Sequence, residues 1–563
     1  MPWTSKFKGS LNERVLEPII IIDVGAATGV DFGFPSIGVM TDKSFTSDMA
    51  YTRAGAMGAV DIHDRYLLTD LRLSRETLRL QSWDFGPGGF SFGLTSKTDS
   101  DSRRWPFQPA RGLPVRVRIG FAGYHRSEFQ TVAWGIVRNI SRQADEWQIE
   151  CSSMIEAMRA PVNVFTGTAR TAAFENVGQT TTLSALWDTD PAVNLPVEDK
   201  SIFELEAGQV GVCMIEAVDE NNPPWFFQFD GTHTTGTQDY LDRFATDDWF
   251  GQDYTEGYAY PSGTKVTALA GFSNAPTPWE LFDKLLRNES GDMPGSWNLD
   301  MPIELVDRDD IAAMASHPSV APFAAAGGIR WSPMADAPVV DMLGWITDGL
   351  SQLGFFPIMR EGRMSLGVIP SREALTSSGP YPIILDEDIA NIDGHSLYHN
   401  DSPAQYSQFI DIRRFPAAAP PSPLFDFVPP AQINSQPWVA NREVSLSNRL
   451  PPTAREIVPN LAHPRGTTAA NTDTLNFVAA GGLWYGMIAE EIKLTLVGLR
   501  WAHLALGDVV GINSLYLYGR AGSYYDERRE EGRTGMVTAI ETDWMRGRIR
   551  LSVSVLPNLF AHT

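Results

Sequence analysis

Apolar and polar residues alternate with a period of two over Val115-Arg116-Val117-Arg118-Ile119 and Trp147-Gln148-Ile149-Glu150-Cys151. The same alternation runs through Ile492-Lys493-Leu494-Thr495-Leu496 and through 549–555. Successive side chains of a strand point to opposite faces, so each segment predicts a half-buried strand. None sits in a βαβ rhythm, which predicts antiparallel sheets. Two segments carry the helical period instead. Thr277-Pro278-Trp279-Glu280 is a capping box with proline at the first helical position, opening a helix over 279–286 that Gly291 stops. Val339, Met342, Leu343, Ile346, Leu350 and Leu353 form one apolar stripe, predicting a helix over about 338–353 that ends at Gly354. Residues 355–359 and 364–368 flank Arg360-Glu361-Gly362-Arg363, which predicts a hairpin. Residues 415–437 hold Pro416, Pro420, Pro421, Pro423, Pro429, Pro430 and Pro437, and read as a semi-rigid extended linker.

One pattern occurs twice. Gly135-Ile136-Val137-Arg138-Asn139-Ile140 is matched by Gly535-Met536-Val537-Thr538-Ala539-Ile540, and each is followed by a tryptophan, Trp147 or Trp544, and an alternating strand. Upstream, Gly112-Leu113-Pro114-Val115 corresponds to Gly507-Asp508-Val509-Val510. The fold class that follows is mainly β and multidomain, with an α+β middle. Two small antiparallel β-barrel modules stand near the two ends, with an acidic insertion between them. Val115, Val117, Ile119, Trp147, Val509 and Trp544 are the expected core of the modules.

Composition sharpens this picture. A chain of 563 residues predicts about four domains. With 43% apolar and 20% charged residues it is not a mostly disordered chain. The net charge is −23, and residues 190–310 carry 24 acids against 6 bases. So acidic a chain is a poor reader of DNA sequence and a poor match for an anionic membrane surface. The only cysteines, Cys151 and Cys213, cannot build a disulfide framework, a structural zinc site or a four-thiolate iron–sulfur cluster. The apolar run at 19–22 is too short for a signal peptide, and no run is long enough to span a bilayer, so the expected product is soluble and made in a reducing cytoplasm.

Candidate chemistry is sparse. Gly89-Phe90-Ser91-Phe92-Gly93 fits the G-x-S-x-G elbow, but no helical face follows and the two phenylalanines alternate as in a strand, so the strand reading is preferred. His395 and His399 are four apart in a segment that does not read as helix, so a solvated loop is preferred over a metal site. Asp239, Asp242, Asp247, Asp248, Trp249, Asp253 and Tyr254 crowd one aromatic-rich loop, with Glu256, Tyr258 and Tyr260 beyond. Calcium, a glycan or receptor, and a solvated or subunit-facing loop are the open readings. Gly86-Pro87-Gly88-Gly89 is a turn, no P-loop is present, and 526–531 reads as a charged hairpin tip. No enzyme class and no cofactor emerges.

The two echoing blocks, the helix-plus-hairpin over 338–368 and the Leu506-Gly507-Asp508-Val509-Val510 ending resemble the tail hub (tail tip, baseplate hub) proteins of tailed bacteriophages and gene transfer agents. The likeness covers about a third of the chain, and 166–275 and 400–480 have no counterpart in it. It implies a non-enzymatic structural virion protein at the tail tip. Family members form trimers whose duplicated barrels make a pseudo-sixfold ring between tail tube and tip. The implied partners are other copies of the chain, a distal tail or tail tube protein, a tape measure protein and a tip or fibre protein, with DNA only in transit past an acidic lumen. The implied division is 1–165 with the first barrel, 166–275 as acidic insertion, 276–410 as α+β domain, 411–480 as linker and 481–563 with the second barrel. The chain departs from iron–sulfur hubs in lacking their four cysteines, and shows no lysozyme or peptidase domain. The competing functions are a receptor- or glycan-binding tip protein using the acidic aromatic loop, and a cell-wall-degrading tail hydrolase.

Overall fold

The computed structural model describes residues 3–13, 18–24, 39–41, 66–74, 76–79, 84–96, 111–121, 128–144, 146–159, 176–188, 193–203, 211–216, 225–243, 258–269, 277–287, 301–323, 353–371, 381–396, 404–409, 453–457, 490–518 and 533–555, with isolated residues between. The proline-rich 415–437 segment and the charged 526–531 segment lie outside the described residues.

A short helix, α1 (Ser5–Leu11), is capped by Thr4, whose hydroxyl accepts from the Phe7 N–H at 3.3 Å. It is followed by β1 (Pro18–Val24), β2 (Val39–Thr41), β3 (Tyr66–Ser74), β4 (Glu76–Arg79), β5 (Asp84–Gly86), β6 (Gly89–Ser96), β7 (Pro114–Phe121), β8 (Gln130–Gln143) and β9 (Glu146–Ser153). All but β4 and β5 form one antiparallel sheet in the order β2-β1-β7-β8-β9-β6-β3. The alternation in β7 behaves as its sequence predicts. Val115, Val117 and Ile119 are fully buried, while Arg116 and Arg118 stay partly exposed.

The acidic region supplies β10 (Thr180–Thr182), β11 (Trp187–Asp188), β12 (Leu195–Val197), β13 (Gly211–Ile215), β14 (Trp225–Thr235), β15 (Gln238–Arg243), β16 (Ala259–Tyr260) and β17 (Lys265–Leu269). Six of these make a separate sheet, ordered β10-β17-β13-β14-β15-β12, while β11 pairs with β16. Their apolar side chains form a core of their own around Trp187, which meets Trp225, Phe227 and Tyr260 with ring centroids 5.7–6.5 Å apart.

Helix α2 (Pro278–Leu286) has the predicted capping box: Glu280 N–H donates to Thr277 Oγ1 at 3.3 Å, and Thr277 N–H donates to Glu280 Oε2 at 2.8 Å. The helix ends at Leu286, and Gly291 lies outside the described residues. After α3 (Arg308–Ala313), the described positions 342–344, 347 and 350 of the second predicted helix are helical, and Gly354 follows with φ +78°. The predicted hairpin is β18 (Phe355–Arg360) and β19 (Arg363–Val368), turned by Glu361 and Gly362, both at positive φ. Two positive φ values are what a tight hairpin between right-twisted strands requires.

The chain then gives β20 (Ile383–Leu385), β21 (Ile389–Ser396), β22 (Ala404–Phe409), β23 (Thr453–Ile457), β24 (Glu490–Val497), β25 (Val509–Asn513), β26 (Arg533–Asp543) and β27 (Arg548–Val555). Six form the path β20-β25-β26-β27-β24-β21, and β4 joins it on β26 with β5 beside it. The two edges of this path, β20 and β21, are separated only by Asp386, Glu387 and Asp388. A flat sheet of that width would hold its edges roughly 24 Å apart, whereas Leu385 and Ile389 can be at most about 14 Å apart. The sheet is therefore strongly curled. Two strand pairs, β20 with β25 and β22 with β23, are parallel, departing from the antiparallel expectation. For the first pair the reason is parity. The steps β21-β24, β24-β27, β27-β26 and β26-β25 are all antiparallel, so β25 runs parallel to β21 and to the β20 that leads into it.

Candidate functional site

The central strands of the two sheets are built on one plan, register for register. Val115 pairs with Gly135 and Pro114 with Ile136, as Val510 pairs with Gly535 and Val509 with Met536. Across the other edge, Gly135, Ile136 and Val137 face Ser153, Ser152 and Cys151, and Gly535, Met536 and Val537 face Val555, Ser554 and Val553. Both ladders then skip one residue, at Arg138 and at Thr538, and resume with Asn139 and Ala539. A bulge in the same place bends both strands at the same point.

The hydrogen bonds that start the strands also match. Gly112 N–H donates to Val137 O at 2.9 Å and Gly507 N–H to Val537 O at 3.0 Å, with φ +87° and +84°. The repeated glycine of β8 and β26 has a steric cause. A Cβ on Gly135 would lie 2.5 Å from Ser152 O, and one on Gly535 2.7 Å from Ser554 O.

Three elements lock the two sheets together. The first is α1. Trp3 meets Phe7 and Trp544 edge-on at 5.1 and 6.1 Å, and Phe7 packs on Phe121 at 5.4 Å. Trp3 Nε1 donates to Thr131 O of β8 at 2.8 Å, and its backbone N–H to Glu361 Oε2 at 2.8 Å. The second is the β4–β5 arm. It leaves the first sheet after β3 and pairs Thr77 with Ala539 and Glu76 with Ile540 of the second. The third is the β18–β19 hairpin. Phe356 stacks on Phe85 of the arm at 6.3 Å, and a Cβ on Gly507 would come 2.9 Å from the same ring.

Polar groups at this joint are mostly paired. Arg360 reaches Asp508 at 2.6 Å and Asp310 at 3.2 Å, and Asp508 also accepts from the Ala505 N–H at 2.9 Å. Burial works against the Arg360 charge, but Asp508 and Asp310 more than offset it and hold the guanidinium protonated. Asp307 pairs with Arg363, and burial pushes its carboxyl up despite that partner. Glu76 lines a cavity of about 100 Å³ with Trp3, Phe90, Met359, Ile540 and Trp544. Burial there raises its carboxyl to about 8, a backbone hydrogen bond from Met359 offsetting part of the shift.

The residues singled out in the sequence are dispersed. Asp239 and Asp242 lie on strand β15, not in a loop, because Gly236 at φ +66° turns β14 tightly into β15. Asp239 accepts from Thr234 Oγ1 at 2.7 Å, and Asp242 binds His233 and Asn194. Their oxygens are thus engaged within their own sheet. Asp247, Asp248, Trp249, Asp253 and Tyr254 lie outside the described residues. Ser91 sits within β6, paired with Arg72 and Glu150, and the strand continues past it to Ser96, as the strand reading expected. His395 is on β21, 3.3 Å from Glu490, while His399 lies outside the described residues. Among the described residues no group of His, Cys, Asp and Glu is arranged to hold a metal ion. Of the expected core, Trp544 is 2% exposed, whereas Trp147 and Val509 are only half-buried, Trp147 lying under the Arg142 guanidinium at 5.6 Å.

Neither a protein-family model nor a curated protein matches this chain. Solved structures do. Among those it is similar to are tail proteins. One is the tail protein from Neisseria meningitidis MC58, at 9% identity over 88% of this chain and 97% of that one, with TM-score 0.34. Another is the 43 kDa tail protein of prophage MuSo2 from Shewanella oneidensis, at 10% identity over 87% and 97%, with TM-score 0.30. A third comes from the virion of a native gene transfer agent particle, at 14% identity over 47% and 84%, with TM-score 0.17.

Proposed function

We propose that this chain is the structural hub of a tail, joining the tail tube to the tip and forming part of the channel through which DNA leaves. The observation that carries this reading is the duplication of one module, with the same registers, the same bulge and the same glycines, in a single chain. A chain with two equivalent modules can satisfy two symmetries at once. As a trimer it presents a pseudo-sixfold ring to a sixfold tube, and its unlike insertions present a threefold face to the tip. The partners that follow are a distal tail or tube protein, a tape measure protein and a tip or fibre protein, with location at the tail tip of the virion. The role is mechanical, and the residues that perform it are packing residues. The surplus of acids over 190–310 suits a channel wall that does not retain phosphate.

Immunogold electron microscopy of purified tailed particles, with antibody to the recombinant chain, tests the reading. Label at the junction of tube and tip is the expected result. Label at fibre ends would transfer the role to receptor binding, and no label on intact or partly disassembled tails would refute the proposal.

A further inference from the structure

One cavity lies where the three locking elements meet. It measures about 100 Å³ and is walled by the aromatic side chains of Trp3, Phe90, Trp134 and Trp544. Glu76 and Glu361 are its only charged lining among the described residues. Trp3 and Trp544 meet with their planes at 78°, so two indoles form a corner. Another of these rings, Trp134, carries a cation from within the chain, the Arg116 guanidinium 5.3 Å from its centre.

The two carboxyl groups are differently placed. Glu361 is neutralised: Lys8 Nζ lies 2.5 Å from it, and the Trp3 backbone N–H donates to it at 2.8 Å. Glu76 accepts from the Met359 N–H, and among the described residues no basic side chain stands against it. Its backbone is fixed, because β4 pairs Glu76 with Ile540 of the second module. The arm thus holds a carboxyl at the cavity without a counter-ion, and burial keeps its proton on up to about pH 8.

We propose that this cavity is a binding site for an alkylammonium group, with Glu76 as its counter-ion and the indoles of Trp3 and Trp544 as its walls. Three features select that class. A carboxylate among aromatic rings attracts a weakly hydrated organic cation, because the ring faces are negative. A divalent metal needs several oxygen ligands, and among the described residues no group of His, Cys, Asp and Glu is arranged to supply them. The cavity is smaller than the roughly 150 Å³ that admits a benzene ring, so it takes an ammonium and the last carbons of a chain and excludes a larger ring. The source of that group is either a free amine or the tip of a lysine presented by a partner, and the chemistry at Glu76 is the same for both.

Binding exchanges one cation for one proton. The ammonium enters charged, Glu76 releases its proton to the buffer, and the charge in the cavity stays balanced. Affinity therefore rises with pH until Glu76 is ionised. The occupied site touches the arm through Glu76, the hairpin through Met359, the N-terminal segment through Trp3 and the second module through Trp544, so the bound cation ties the joint. The proposal does not depend on the hub reading.

Isothermal titration calorimetry of the full chain with ethylammonium chloride tests it. In two buffers of unlike ionisation enthalpy at about pH 7, the wild-type chain should bind saturably and release close to one proton. Raising the pH to about 8.5 should tighten binding about tenfold and remove most of the proton release. Glu76→Gln keeps the shape but cannot ionise, and should weaken binding at least about tenfold with no proton released. Potassium chloride at the same concentrations should give no saturable heat. Nα-acetyl-lysine amide that binds as well as ethylammonium assigns the site to a partner's side chain, whereas binding of ethylammonium alone assigns it to a free amine, and either upholds the site. Four results would each overturn the proposal: no saturable heat with the wild-type chain, binding without proton release at about pH 7, potassium binding as well as ethylammonium, or Glu76→Gln binding like wild type.

Discussion

Trp3 and Trp544, near opposite ends of the chain, meet edge to face with ring centroids 6.1 Å apart and planes at 78°. Trp3 also donates its indole N–H to Thr131 of the first module, so one side chain touches both modules. Trp3→Ala removes a buried aromatic and should cost about 3 kcal/mol. Trp3→Phe keeps a ring but loses the hydrogen bond, and should cost about 1 kcal/mol beyond any repacking. Urea unfolding of the two variants measures the difference.

Gly112 and Gly507 share a left-handed φ, but their surroundings differ. A Cβ on Gly112 meets nothing within 4 Å, whereas one on Gly507 would meet the Phe356 ring and Val368 O at 2.9 and 3.0 Å. Gly112→Ala should therefore cost only the backbone term, about 1–2 kcal/mol. Gly507→Ala should cost clearly more, and thermal unfolding of the pair will rank them.

Glu76 gives the joint a pH dependence whose sign is fixed. Its folded-state carboxyl is raised from the ordinary 4.5 to about 8 by burial. Between these values the folded chain holds a proton that the unfolded chain releases, so stability falls as pH rises through that window. Glu76→Gln should remove this component, leaving the variant the more stable of the two at pH above 8. Paired denaturation curves from pH 4 to 9 (roughly the window and its flanks) will read it out, and parallel curves would disprove it.

The Arg360–Asp508 pair ties the hairpin to the start of β25 at 2.6 Å, with side chains 28% and 20% exposed. Asp508→Ala leaves a largely buried cation with Asp310 and Glu361 as its remaining acidic neighbours and removes an acceptor for the Ala505 N–H. A loss of about 2 kcal/mol is expected, smaller than for a fully buried pair because solvent reaches both groups. Adding Arg360→Met should recover part of it. A double-mutant cycle checks the coupling.

Cys151 and Cys213 are buried, and burial pushes both thiols up. Neither should react with an aromatic disulfide reagent in the folded chain, and both should react fully in denaturant. The reaction rate of native protein should track unfolding, and rise with pH as the opened chain becomes more populated and its thiols more ionised.

Strand character was legible wherever one face of a strand is wet. The period of two at 115–119 and 147–151 follows directly from the pleat, whereas at 551–555 both faces are buried and the alternation is one of small serines, Ser552 and Ser554, with apolar residues. The repeated Gly-x-Val-x-x-Ile was legible for a second reason: a backbone approach too close for a Cβ recurs in both modules, so glycine recurs with it. The capping box at Thr277 and the Glu361-Gly362 turn were legible because their chemistry is local. By contrast, 239–242 read as loop. Their alternation is obscured by acids that hydrogen-bond to His233, Asn194 and Thr234 on neighbouring segments, partners no local pattern announces.

The mainly-β class, the acidity, the capped helix α2 and the existence of two like modules can be read from residue order, because periodicity, charge and turn chemistry are properties of neighbours along the chain. That β20 and β21, far from the second echo, complete its sheet, and that an arm of the first module pairs with β26, emerge from the three-dimensional arrangement alone. Each depends on contacts between residues about a hundred to several hundred positions apart, whose pairing is fixed by register and curl and leaves no trace in local spacing.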